Sequence, residues 1–416
     1  MAKILAYQTP AMGHFFPISV LLTELRNRGH GVTLRTLAAG VEAGIGMGFD
    51  TAPVDPRIEA MPWDDAGAAN SDEALSKVID VFARRARYEI PDLTEAIDDV
   101  RPDVLIVDPS CWGAYAVAEA SRLPWASFWA FLPYLRSRGV PPWGPGLRPW
   151  SGPVGRLRDA LVRRKFTALD AWVGPLNIIR AQLGLSPLTS VDDYARRSPL
   201  MLVATAQPFD YPHPDWDDSV HLVGSCSYDP APSTEPEWLA QIDRPIVLVS
   251  TSSENQGDSE LARVALAALA DQPVHVVATF PAGIPPKMTT PANATVCQFV
   301  PHSLVLGRAA CAITHGGMGV TQKALAWGVP VCVVPYGRDQ FEVARRVEVA
   351  KCGTWLLPKH LTASRMRAKV LKAMTMTEGA RRVATGYTAT GGAVHGARLI
   401  EQRLLTSVPP APRYSA

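Results

Sequence analysis

Ala310-Cys311-Ala312-Ile313-Thr314-His315-Gly316-Gly317-Met318-Gly319-Val320, continuing through Ala324-Leu325-Ala326-Trp327-Gly328-Val329-Pro330 to Asp339-Gln340, reads as a short buried strand, a glycine-rich turn and a helix. The run from Ala310 to Thr314 suits a strand covered on both faces, and Val320 to Trp327 has helical composition. The amides of the turn then lie at a helix N-terminus, where unsatisfied N–H groups and the helix dipole favour an anion. His315 stands beside them. An imidazole, a dipole and a row of amides can share the charge of a diphosphate.

The same alternation of strand and helix extends outward in both directions. In the first half, Lys3 to Tyr7 is an apolar run, Pro17 to Arg28 has helical periodicity ending at Gly29, and Val32 to Leu34 is a second strand. Val104 to Val107 is another strand, followed by a helix through Arg122 and a strand from Trp125. A second series follows Pro230-Ala231-Pro232-Ser233, with strands at Ile246 to Ser250, His275 to Thr279, Ala312 to Thr314 and Val331 to Val334. Alternation of this kind implies parallel sheets with crossover helices on both faces. Between the series, Pro141 to Pro153 is a Pro/Gly/Trp-rich loop and Arg156 to Lys165 a basic helical stretch.

With 416 residues and 47% hydrophobic side chains, the chain can fill two cores and is too long for one ordinary core. Lys and Arg number 41 against 39 Asp and Glu, so nothing in the net charge points to nucleic acid; the partner expected is a small molecule. Six cysteines, at 111, 226, 297, 311, 332 and 352, lie far apart in mostly apolar segments without CxxC or zinc spacing, and read as reduced core thiols. Met1 to Tyr7 leads directly into a strand with no signal-peptide pattern, and no window is long and apolar enough to span a bilayer. A soluble cytoplasmic protein without integral membrane association is the expectation.

Two further residues stand where α/β sheets bind ligands, at the carboxyl ends of strands. His14 follows the first strand in Pro10-Ala11-Met12-Gly13, and Asp108 closes Val104 to Val107. His14 alone reads equally as a loop histidine bonded to backbone, and Asp108 alone as a helix cap. Together they suit a base and a carboxylate that fixes its tautomer.

His-Gly-Gly, Gly-Val-Pro and Asp-Gln in this order, over 26 residues, resemble the donor-binding signature of the UDP-glycosyltransferase superfamily. The resemblance implies the GT-B architecture, an α/β fold of two Rossmann-like domains facing across a cleft. An acceptor domain over 1–222, a nucleotide-sugar domain over 223–390, and a last segment over 391–416 crossing back to the first domain are expected. It further implies that His14 and Asp108 are the catalytic dyad. His315 and the amides of Gly316, Gly317, Gly319 and Val320 would hold the diphosphate, with Asp339 and Gln340 on the sugar hydroxyls. Ser250 and Thr251, in a hydroxyl-rich loop running to Ser253, resemble residues that touch the phosphates, although Ser252 replaces a usual glycine. Phe299-Val300-Pro301-His302 resembles the base-binding loop, with His302 in place of Gln.

Lys323 departs further, because many UDP-sugar enzymes carry Glu there to accept the ribose hydroxyls and a lysine cannot accept. It leaves two placements open, at a phosphate or in solvent. UDP-glucose is the favoured donor, with a TDP-sugar possible, and no cofactor is expected beyond this cosubstrate. Asp64-Asp65 and Asp192-Asp193 lack the Asp-x-Asp spacing of a GT-A metal clamp, so no metal is expected. Trp112, Phe131, Tyr134 and Trp143 are the candidate acceptor-pocket residues, with Trp150 beside Trp143 in a loop that suits a lid. The resemblance implies a macrolide, polyketide, phenol or lipid acceptor and direct in-line transfer with inversion. Two alternatives are a nicotinamide oxidoreductase, which wants a G-x-G-x-x-G that the first turn lacks, and a silent auxiliary subunit, which would want a damaged dyad.

Overall fold

Runs such as Val104-Leu105-Ile106-Val107 have no polar side chain to offer water, and each of these residues is fully buried between helices on both faces of a sheet. The computed structural model describes residues 1–61, 71–165, 170–229, 234–252 and 258–406. Asp64-Asp65, the Pro230 to Ser233 stretch, Ser253 and the tail from Pro409 lie outside these residues.

The first sheet has seven strands: β1 (Lys3–Tyr7), β2 (Gly31–Thr36), β3 (Asp50–Pro53), β4 (Val104–Val107), β5 (Trp125–Trp129), β6 (Met201–Val203) and β7 (Val220–Leu222). Their order is β3-β2-β1-β4-β5-β6-β7, with neighbours parallel throughout. The second has six: β8 (Ile246–Ser250), β9 (His275–Thr279), β10 (Ala294–Cys297), β11 (Ala309–Thr314), β12 (Val331–Val333) and β13 (Gly353–Trp355). Their order is β10-β9-β8-β11-β12-β13, again parallel. Strand order reverses between β1 and β4 and between β8 and β11. In open α/β sheets a crevice for ligands opens at the carboxyl ends of such strands. The segments after β1, β4, β8 and β11 are therefore where a site belongs in each sheet.

The helix after β1 runs over Met12–Asn27, starting earlier than the sequence suggests, with Pro17 in its interior. Proline is favoured at a first helical position, which made Pro17 look like a start. Phe15, Ile18, Leu21, Leu22 and Leu25 anchor the helix in the core, and this burial outweighs the one hydrogen bond that Pro17 cannot donate. His14 thus sits inside the first helical turn. The long helix Ser71–Val100 packs against Trp112–Ala120 on one face of the first sheet.

The last helix, Gly392–Ile400, lies against Met12–Asn27. A Cβ on Gly396 would come within 3.0 Å of Leu21 Cδ1, so the absent side chain sets how closely the helices approach. Glu401 then binds Arg28 at 2.9 Å and His30 at 3.1 Å. Among the described residues, no helix is long and apolar enough to cross a membrane.

Candidate active site

Asp108 is fixed before it meets any partner. Its amide donates to the Tyr7 carbonyl at 2.9 Å, tying β4 to β1, and its Oδ1 accepts from the Ser110 amide at 2.8 Å. The other carboxylate oxygen, Oδ2, lies 2.7 Å from His14 Nδ1. Asp108 is nearly buried, whereas His14 keeps 17% of its side chain exposed. With the proton on Nδ1 bonded to Asp108, Nε2 is the basic nitrogen of the ring. The carboxylate also stabilises the imidazolium that proton uptake creates.

Behind this pair, Glu89 is fully buried and accepts from the Gly113 amide at 2.8 Å, at the start of Trp112–Ala120. Burial pushes its carboxyl up to about 8, against the opposing pull of the Gly113 amide and Arg85. Glu89 therefore holds the helix that begins just after Asp108.

From His14 an aromatic wall leads away. Its ring is 5.6 Å from that of Phe131, Phe131 is 6.4 Å from Tyr134, and Tyr134 is 5.9 Å from Trp143 and 5.0 Å from Trp172. Trp143 Nε1 donates to the Leu132 carbonyl at 3.1 Å, which fixes the indole. Trp112 corrects the sequence reading: at 1% exposure it packs against Phe82 and Trp172 and backs the wall without facing it. Trp150, further along the same loop, is 55% exposed with Arg158 over its ring.

The loop carrying Trp143 is clamped to the other domain. Glu342, in the helix Gln340–Val349, accepts at Oε1 from the Gly144 and Gly146 amides, both at 2.9 Å. Gly146 has φ of 59°, and a Cβ there would lie 2.4 Å from the Phe341 carbonyl, so this contact requires glycine. Glu342 Oε2 meets Arg346 at 3.0 Å, and Arg346 Nε meets Asp210 at 2.7 Å. Burial works against ionised Asp210, yet Arg346 and His213 hold its carboxyl down at about 2.

Across the cleft, the turn after β11 forms the second half of the site. Gly316 has φ of 94°, and a Cβ there would press on Gln340 and Val333 at 3.0 Å. A Cβ on Gly317 would lie 2.4 Å from His315 Nε2, so the imidazole folds over the bare backbone. The helix Met318–Ala326 starts here, with Gly319 and Val320 in its first turn. His315 Nδ1 is 3.5 Å from Asp258 Oδ2, and the same oxygen accepts from the Ser252 amide at 2.6 Å. Asp258 was not legible as a site residue because it shares no motif with His315. Ser250 and Thr251 are buried at the end of β8, where Thr251 Oγ1 donates to the Thr279 carbonyl at 3.1 Å.

Lys323 takes neither placement left open by its sequence position. Its ammonium binds Asp229 Oδ1 at 3.1 Å, with both side chains 17% exposed. Asp229 also accepts from the Ser303 amide, and although burial opposes ionisation, Ser303 and Lys323 hold its carboxyl below the usual range. Next to this pair, burial first and Lys323 second lower His302 to about 4, so its ring is neutral. His302 Nε2 is 3.2 Å from Thr279 Oγ1. Phe299 is 60% exposed and Val300 is buried.

Asp339 stands at the N-cap position of the helix that carries Glu342 without a side-chain capping bond, and presents a buried Oδ2 with no hydrogen-bond partner among the described residues. Burial raises its carboxyl to about 6, opposed by its own backbone amide and then by Arg338 and His14. Gln340 is buried, and its Oε1 accepts from the Tyr336 and Gly337 amides at 2.7 and 3.2 Å. That oxygen shapes the turn and is not left for a sugar. Among the described residues, no three His, Cys, Asp or Glu side chains converge as metal donors.

Residues 263–392 match the model of the erythromycin biosynthesis protein CIII-like C-terminal domain. Over 420 residues the chain is 30% identical to 4'-demethylrebeccamycin synthase of Lentzea aerocolonigenes, covering 96% of this chain and 99% of that protein. It is 27% identical to demethyllactenocin mycarosyltransferase of Streptomyces fradiae, covering 96% and 86%. Among solved structures, the calicheamicin glycosyltransferase CalG4 superposes with a TM-score of 0.75 at 22% identity, covering 98% of this chain and 100% of that one.

Proposed function

The chain belongs to the family 1 natural-product glycosyltransferases of GT-B fold, and within that family we propose that it moves a hexose from a nucleoside diphosphate sugar to a hydroxyl of a hydrophobic small molecule, with inversion and without a metal ion. The observation that carries this reading is the His14–Asp108 pair at 2.7 Å, with the helix that carries His14 packed against Met318–Ala326, the helix that follows the His315 turn.

The acceptor lies along the Phe131, Tyr134 and Trp143 wall with its hydroxyl at His14 Nε2. As the proton passes to that nitrogen, the acceptor oxygen attacks the anomeric carbon and the bond to the diphosphate breaks. Asp108 stabilises the resulting imidazolium. His315 and the amides from Gly316 to Val320 meet the charge gathering on the leaving diphosphate, with the helix dipole behind them. Asp339 Oδ2 accepts from hydroxyls of the sugar. A single displacement inverts the anomeric centre.

UDP-glucose is the favoured donor. A base on Phe299 and a diphosphate at His315 leave the ribose between them, beside Asp229, whose carboxylate can accept a diol where Lys323 cannot. A TDP-sugar is the second donor, losing the contact with the 2'-hydroxyl. Reduced thiols at all six cysteines fit a cytoplasmic enzyme.

Thermal shift with UDP, TDP and GDP in parallel tests the donor, because a bound ligand raises stability by RT ln(1 + [L]/Kd). The largest rise is expected with UDP. Turnover in EDTA should equal that without it, and the product anomer should be opposite to the donor's. No shift with any nucleotide, loss of activity with chelator, or retention of configuration would each overturn the corresponding part.

A further inference from the structure

The segment from Trp150 to Lys165 is folded with its apolar stripe outward. Trp150, Val154, Leu157 and Leu161 are 55%, 61%, 62% and 54% exposed. All four lie on one line at helical spacing, three of them in the helix Pro153–Lys165. On the inward side the helix buries Gly155 and Asp159, the latter bonded to Arg158 at 2.6 Å. Three large aliphatic side chains in water beside a buried carboxylate invert the usual amphipathic pattern.

Charge identifies what covers this stripe. Residues 136–165 contain eight Arg or Lys and a single acid, Asp159, in a chain whose overall net charge is +2. Arg156 and Arg164 are exposed on the same helix. A second copy of this chain would bring the same concentration of positive charge and be repelled. An anionic surface would be attracted, and leucines flanked by arginines are the composition of helices lying in the headgroup region of a bilayer. We infer that this face docks on an anionic lipid surface, with the helix parallel to the membrane plane and the stripe at the boundary between headgroups and acyl chains. The segment is continuous with the Trp143 and Gly146 loop, so docking sets the acceptor wall beside the lipid, where apolar molecules concentrate.

Co-sedimentation with phosphatidylcholine vesicles, with and without phosphatidylglycerol, tests this directly. The protein should bind the anionic vesicles at low salt, release them as salt rises, and leave the zwitterionic ones unbound. Leu157→Ser/Leu161→Ser and Arg156→Ser/Arg164→Ser should each weaken binding, the latter by roughly fivefold per arginine. Both variants should keep the wild-type melting temperature and wild-type turnover of a water-soluble acceptor. Absence of binding to anionic vesicles, or unchanged binding by the leucine variant, would overturn the inference. So would a dimer in sedimentation velocity that the leucine variant dissociates, since the stripe would then be an interface between copies.

Discussion

Replacing Glu342 by Gln keeps the shape of the side chain and removes its charge, and the effect can be worked out contact by contact. The wild-type carboxylate satisfies three donors, the Gly144 and Gly146 amides at 2.9 Å and the Arg346 guanidinium at 3.0 Å. Glutamine has one acceptor oxygen, so either the loop amides or the guanidinium face an amide N–H. If the oxygen stays with the loop, Arg346 keeps Asp210 at 2.7 Å and loses one buried charge-assisted bond. That bond is worth about 2 kcal/mol, and turning the oxygen the other way strands the buried Gly146 amide and the half-buried Gly144 amide at similar or greater cost. The loop carrying Trp143 then undocks more easily from the helix that presents Asp339. Acceptor KM should rise about tenfold, with some of the 2 kcal/mol absorbed by relaxation, while UDP affinity measured calorimetrically should stay at the wild-type value. Acceptor KM unchanged alongside an unchanged melting temperature would show that the clamp does not hold the acceptor wall.

Lys323→Glu sets a second carboxylate where the ammonium now holds Asp229, and should depress UDP- and TDP-sugar use together; a rise in the UDP to TDP ratio would contradict the role given to Asp229. Glu89 has a folded-state value of about 8 against 4.5 unfolded, so the folded chain binds this proton more tightly. Its contribution is complete below about pH 4.5 and is lost as pH rises through about 8. Glu89→Gln should flatten the melting-temperature profile across that window, and an unaltered slope would refute the assignment. Ionised Asp339 should favour sugar binding, so the advantage of UDP-glucose over UDP in calorimetry should shrink below about pH 6 in the wild type and show no such step in Asp339→Asn.

The elements legible in the sequence were those whose cause is local. A strand of four or five apolar residues, a glycine turn after it and a helix behind that turn need only neighbouring residues to be recognised, and β1, β4, β8, β9 and β11 follow from such runs. The candidate dyad was legible because Asp108 directly follows such a strand and His14 opens the helix after another. Acids whose roles depend on residues far away in the chain were not. Glu342 gains its role from amides some 200 positions earlier, Asp229 from a lysine 94 positions later, and Asp258 from the neighbouring turn after a different strand. Glu89 was hidden because the helix Ser71–Val100 was not recognised, and Pro17 displaced a helix start because its anchoring lies in tertiary burial. Trp112 shows the opposite error, an aromatic residue assigned to a pocket by composition when its neighbours bury it.

The most direct test is the turnover of His14→Ala on an unactivated alcohol at saturating donor. Removal of the proposed base, held 2.7 Å from Asp108, should lower turnover by roughly 10²- to 10⁴-fold, with UDP affinity unchanged because the proposed diphosphate site lies in the other domain. Near-native turnover on that acceptor would contradict the assignment of His14 as the base.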